Sequence, residues 1–186
     1  MGAISPPRPV LLLLAAFSRH EAALDWARER AEATWGPIAL ASERFPFVDT
    51  DYYEATMGPG LAKQFLAFER LIDPATLPAI KRATNDWEDE YARRAASADA
   101  ATEPRPLNLD PGYLTLAKLV LASTKDHAHR LYLSDGIYAE VTLSYKHRAW
   151  RPHEWTFPDY RRAEYHEFFS RCREWLKEQE GSGARG

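Results

Sequence analysis

The densest chemistry in the chain lies at 123–130, where Ser123, Thr124, Lys125, Asp126, His127, His129 and Arg130 fall within eight residues. A hydroxyl pair, a lysine and an arginine in one connecting loop could hold a phosphate through side-chain donors and backbone amides together. The bland counterpart is a solvated, charged connection between strands. Asn108 and Asp110 stand in Asn108-Leu109-Asp110-Pro111-Gly112-Tyr113, which reads as a turn, with proline presetting φ and glycine accepting a positive one. Their side chains either satisfy turn amides or face a ligand. Glu140 falls opposite Arg130 if 129–133 and 137–145 pair as a hairpin. Exposed, such a pair is worth under ~1 kcal/mol. Covered, it could hold an anion or orient a general base. His127, His129 and Asp126 could share a metal, but no third His or Cys pattern completes the set, and no metal ligand is assigned.

The candidate catalytic residues are therefore Asp110, His129 and Glu140. The candidate ligand-binding residues are Asn108, Ser123, Thr124, Lys125, Arg130 and Tyr132, with Tyr52, Tyr53 and Glu54 from an acidic, aromatic loop that could act as a lid. Lys125 and Arg130 would hold an anion, and Glu140 or Asp110 would serve as base or metal ligand. No cofactor is assigned. A second candidate surface is the stretch 145–162, basic and rich in Trp, Phe and Tyr, which is what a single-stranded nucleic acid or a protein partner would use. The chain holds no phosphate loop, no dinucleotide fingerprint, no H-E-x-x-H and no G-x-S-x-G, so P-loop ATPase, Rossmann, zincin and α/β-hydrolase chemistries drop away.

Elements must bring these residues together. The continuous apolar run at 10–16 reads as a strand covered on both faces. It runs without a small-residue cleavage site into Ser18-Arg19-His20-Glu21, a capping box for a helix. Leu24, Ala27, Ala31 and Trp35 repeat at helical spacing up to Gly36, and a short strand follows at 38–42. After the aperiodic stretch 43–60, a strand at 63–72 leads to Asp73-Pro74 and a helix reaching about residue 94. A loop at 95–106, expected to be mobile, leads to one strand at 113–122. The order βαββαβ predicts an α+β fold, a ferredoxin-like mixed sheet. A hairpin around Ser134-Asp135-Gly136 and a C-terminal helix at 159–177 extend it, with Leu133 opposite Ile137, Leu131 opposite Ala139 and Tyr132 opposite Tyr138.

The 186 residues suit a single domain, with an ordered core at 9–178. One cysteine, Cys172, allows no internal disulfide, and a net charge of −3 argues against a nucleic-acid coat. No stretch is long enough to span a membrane. The expected partner is thus a phosphate-bearing small molecule, with nucleic acid less favoured, in the cytoplasm.

Several motifs together resemble one bacterial family, catalogued as domain of unknown function 4416. They are Y-Y-E-x-x-M-G at 52–58, T-N-x-x-E at 84–88, N-L-D-P-G-Y at 108–113, A-S-T-K-D-x-x-H-R-x-Y-L at 122–133, G-I-Y-A-E-V-T-L at 136–143 and W-T-F-P-D-Y at 155–160. Thr56 departs from the pattern, standing where an acid is expected before Met57. Members are often labelled GTP-binding, so the resemblance implies a nucleotide ligand. The guanine-reading [N/T]-K-x-D pattern is not met, because Thr124-Lys125-Asp126 puts the acid one place early.

Overall fold

The computed structural model describes residues 2–98 and 103–183. Its centre is β1 (Leu11–Ser18), eight residues that are all buried. Alternation sends Leu12, Leu14 and Ala16 to one face, against α1 (Glu21–Trp35) and α3 (Leu77–Ser97). Leu11, Leu13 and Ala15 go to the other, against Tyr165, Phe168, Phe169, Cys172 and Leu176 of α4 (Ala163–Gly183). A strand buried on both sides has no polar face, which is why its residues read as an unbroken apolar run. Each fully buried leucine or phenylalanine here contributes on the order of 1.5–3 kcal/mol.

Around β1 the sheet is ordered β2-β4-β1-β5-β6-β8-β7, with β3 added to β4 and β9 to β8. The strands are β2 (Ile38–Ala41), β3 (Phe45–Pro46), β4 (Ala62–Phe68), β5 (Asn108–Leu114), β6 (Lys118–Ser123), β7 (Leu131–Ser134), β8 (Ile137–Lys146) and β9 (Ala149–Pro152). A short helix, α2 (Glu54–Met57), interrupts the stretch before β4. The fold is α+β, as expected, but every described strand pair is antiparallel rather than mixed. The crossover through α1 does make β1 and β2 parallel, yet β4 lies between them and pairs antiparallel with both.

Local expectations changed where side chains found better partners. Ser18 closes no capping box: its hydroxyl donates to Pro106 O at 2.6 Å and accepts from His20 N at 2.9 Å, and no side chain caps α1. The strand expected at 113–122 is a hairpin, β5 and β6, turned by Thr115, whose Oγ1 accepts from the amides of Ala117 and Lys118. Asp110-Pro111-Gly112 is no turn but the middle of β5. Pairing with β6 begins only at Gly112, so the proline sits where β5 has one neighbour. Of the loop expected at 95–106, residues 95–97 continue α3, 98 and 103–106 are irregular, and 99–102 lie outside the described residues. The expected helix at 159–177 is a 3-10 turn at Pro158–Arg161 followed by α4.

The hairpin of β7 and β8 keeps Leu131 opposite Ala139 and Tyr132 opposite Tyr138, but Ser134, not Leu133, faces Ile137. Asp135 and Gly136 both hold positive φ, 53° and 76°. That makes a two-residue turn of the mirror-image kind suited to strand twist, in place of the three-residue loop. No described helix is long and apolar enough to cross a membrane.

Candidate functional site

Partner residues across an antiparallel ladder share a face. Asp110 lies opposite Ala15 and Glu140 opposite Leu121, both members of the α4-side core, so the two acids stand on the α4 face. Lys63 and Asn108 flank Phe17 on the same face at the end of the sheet. A bulge helps to aim Glu140. Leu119 pairs with Leu143 and Val120 with Val141, which leaves Thr142 as the extra residue.

Glu140 is buried and fully engaged. Its Oε2 accepts from Arg130 Nε at 2.8 Å and lies 3.1 Å from His129 Nε2; its Oε1 accepts from Thr142 Oγ1 at 3.2 Å. Arg130 Nη1 donates to Ser123 Oγ at 2.7 Å and to Lys125 O at 3.0 Å, so the loop after β6 wraps around the guanidinium. Covered in this way, the Arg130–Glu140 pair is no surface ornament: removing either partner would strand a buried charge. His129 is also one of four rings in a row. His127, His129, Trp155 and His153 follow one another at centroid separations of 5.8, 5.5 and 4.8 Å, with interplanar angles of 13° or less.

A second network surrounds Asp110. Lys81 Nζ donates to Leu109 O at 2.8 Å and to Asp110 Oδ1 at 3.3 Å, while Asn108 Nδ2 donates to Asp110 Oδ2 at 2.8 Å. Arg105 bridges Asn108 Oδ1 and Glu88, and Glu88 accepts from Leu109 N at 2.8 Å. Burial pushes the Asp110 carboxyl up, but Lys81, Lys63 and the Asn108 amide outweigh it and hold the group below its ordinary range. Glu88 goes the other way: burial raises it despite Lys81, Arg105 and the Leu109 amide.

Aromatic and charged side chains join the two networks. Lys125 Nζ donates to Tyr52 OH at 3.3 Å, and Tyr52 meets Tyr53 edge-on at 5.0 Å. Tyr53 packs on Phe17 and Phe47, and burial, then the charge of Asp110, drives its hydroxyl pKa far up. Beneath lies Lys63, buried among the rings of Phe17, Phe47 and Tyr160 and donating to Asp159 Oδ2 at 2.5 Å. The Tyr160 hydroxyl is buried with no hydrogen-bond partner among the described residues, and burial and then Asp159, Asp110, Tyr165 and Glu140 raise its pKa. The three carboxylates on this face thus all act on one ring.

Of the expected site residues, the structure joins Asp110 with Asn108, and Glu140 with His129, Arg130, Ser123 and Lys125. Tyr52 reaches Lys125, and Tyr53 packs between Tyr52 and Phe17. Glu54 and Thr124 are exposed and enter no described side-chain contact, and Tyr132 packs on Tyr138 at the outer edge of the sheet. Among the described residues no group of three or more His, Cys, Asp or Glu side chains is placed to hold a metal. The basic, aromatic stretch divides. Trp150 and Tyr160 are buried, Arg161 is bound to the carbonyls of His153, Glu154 and Thr156, and Arg162 to Pro46 O, Asp49 and Glu164. A groove of about 320 Å³ opens at the far end of the sheet, between the segment at 7–10 and the turn of β5 and β6, away from every candidate residue.

Sequence reasoning missed Lys63, Lys81, Glu88 and Arg105, and held Trp155 and Asp159 only as part of the second candidate surface at 145–162. A signal existed for three: Glu88, Trp155 and Asp159 stand inside the quoted motifs. Lys63 and Lys81 gave none, because a lysine in an amphipathic element reads as solvent-facing.

The molecule is thus an α+β protein with a buried, charge-balanced centre on the α4 face of one antiparallel sheet. The chain belongs to the family described as domain of unknown function (DUF4416), whose model matches residues 8–176. No curated protein and no solved structure matches it.

Proposed function

We propose that the protein binds a phosphate-bearing small molecule at this end of the sheet, with nucleotide or phosphoester chemistry as the reaction its side chains would serve. The observation that carries this reading is the linked set Glu140–Arg130–Lys125–Tyr52, in which a loop curled around a fixed arginine presents an exposed lysine to an aromatic side chain. Lys125 is the anion contact, Arg130 shapes the loop, and Tyr52 with Tyr53 covers the ligand. His129, set against a carboxylate that Arg130 and Thr142 hold still, is the proton-transfer group. The scaffold is read as a ferredoxin-like unit, supported by the order β2-β4-β1-β5 with α1 and α3 on one face, extended by β6 to β9.

A thermal-shift series with inorganic phosphate, nucleotides and sugar phosphates tests it. A ligand at about 100 times its dissociation constant should stabilise the protein by ~2.7 kcal/mol. The shift should vanish in Lys125→Ala, whose side chain is exposed and costs the fold little. No shift with any of these compounds, or one unchanged by the substitution, would remove the phosphate reading.

A further inference from the structure

β8 gives one edge to β6, from Ser144 opposite Lys118 to Tyr138 opposite Ser123. Its other edge is therefore shared, end to end, by β9 against 143–146 and by β7 against 137–139. No described strand pairs with the outer side of either. β7 carries no charge or proline within its four residues, and Leu131, Tyr132 and Leu133 are 76 %, 61 % and 40 % exposed. Natural sheets blunt such an edge or cover it.

The charges along this edge identify the cover. Asp135 lies in the turn that ends β7, Lys146 at the end of β8, Arg148 in the turn before β9 and Arg151 in β9; all four are exposed, and none enters an ion pair among the described residues. The β7 half of the edge is apolar and ends on an acid, and the β9 half carries Arg148 and Arg151. β7 and β9 run in the same direction, both antiparallel to β8. A two-fold axis in the gap between them therefore lays β7 of one copy antiparallel to β9 of the other, twice over. The turn at Asp135 then meets the partner's Arg148, and the apolar β7 is covered. Such an interface is isologous and closes after two copies. The two-residue turn at His147 and Arg148 makes Lys146–Ala149 a hydrogen-bonded pair, so the backbone groups of Ala149 and Arg151 point to β8. Trp150 then offers its outward N–H and C=O to the partner, and Pro152 only its C=O. Trp155, 40 % exposed with its indole N–H bonded to Val141 O, stands in the gap beside the axis.

We propose that the occupant of this edge is a second copy of the chain, paired β7 to β9 about a two-fold axis, giving a dimer with one continuous sheet.

Sedimentation velocity over a wide concentration range, at low and high salt, reads the result. The expected outcome is a concentration-dependent dimer that salt weakens. Leu131→Lys should abolish it, because it places a charge in the pairing strand. Arg148→Asp should weaken it about tenfold or more by setting like charges together, and adding Asp135→Asn to that variant should recover part of the loss. These residues are exposed, so far-UV circular dichroism should stay that of the wild type. A monomer at every concentration in low salt overturns the proposal, as does a dimer that survives Leu131→Lys or one that Arg148→Asp leaves unchanged.

Discussion

Lys63 shows how much one side chain can carry at the residue scale. Taking an ammonium out of water costs several kcal/mol, repaid only by a well-placed counter-charge. Here Asp159 lies 2.5 Å away and three aromatic rings surround the cation at 4.5–5.1 Å. The bond also ties β4 to the turn that starts α4. Lys63→Met should destabilise the protein by about 3–5 kcal/mol in urea unfolding, because Asp159 is left buried and unpaired. Pairing that change with Asp159→Leu should recover most of the loss. A single variant within ~1 kcal/mol of wild type would show the pair to be solvated instead.

Elements position the candidate site through two irregular strands. In β5, Gly112 lets the backbone of β6 come close: a Cβ there would sit 2.3 Å from Val120 O and 2.8 Å from Leu121 Cδ2. Its φ is not in the left-handed region, so the residue is needed for space and not for a turn. Gly112→Ala must push β6 away from β5, at a cost of about 1–3 kcal/mol or more. The shift should reach Glu140, which pairs with Leu121, and so should also reduce any ligand-induced thermal shift. An alanine variant of wild-type stability would mean that β6 yields freely. In β8 the bulge at Thr142 places a hydroxyl against Glu140, a role that strand propensity does not encode.

At the scale of the whole molecule, acid tests the ion pairs that hold its segments. Glu103 receives hydrogen bonds from His20 first, then from backbone and Arg19, which lower its pKa from 4.5 to about 2. A depressed carboxylate stabilises the fold above its unfolded pKa and loses that contribution as pH falls through the folded one. Glu103→Gln should therefore be less stable than wild type at about pH 6, with the difference shrinking from 4.5 downward and gone below about 2. Urea midpoints measured across this range decide it, and a difference that does not change with pH would refute the assignment. Asp110, also depressed, adds to acid lability in the same direction, while Glu88, raised by burial, opposes it.

Much was legible in the residues because it rests on local rules. The run at 10–16 read best as a strand covered on both sides and is one, Gly36 does end α1 at a φ of 95°, and Tyr165, Phe168, Phe169, Cys172 and Leu176 do form one buried face. The Arg130–Glu140 pair followed from hairpin alternation alone, even though the turn beside it was read one residue too long. Asp110 was singled out by type, yet its neighbours Lys81 and Lys63 come from a helix and a strand far away in the chain. Asp-Pro-Gly looked like a turn because turn chemistry is the commonest use of that triplet. What overrode it was β1 on one side and the close approach of β6 on the other, a demand that no window of sequence contains. Local periodicity marked the longer elements; which charges were buried together was decided only when the nine described strands fixed their order, because burial is a property of the assembled sheet and not of the chain.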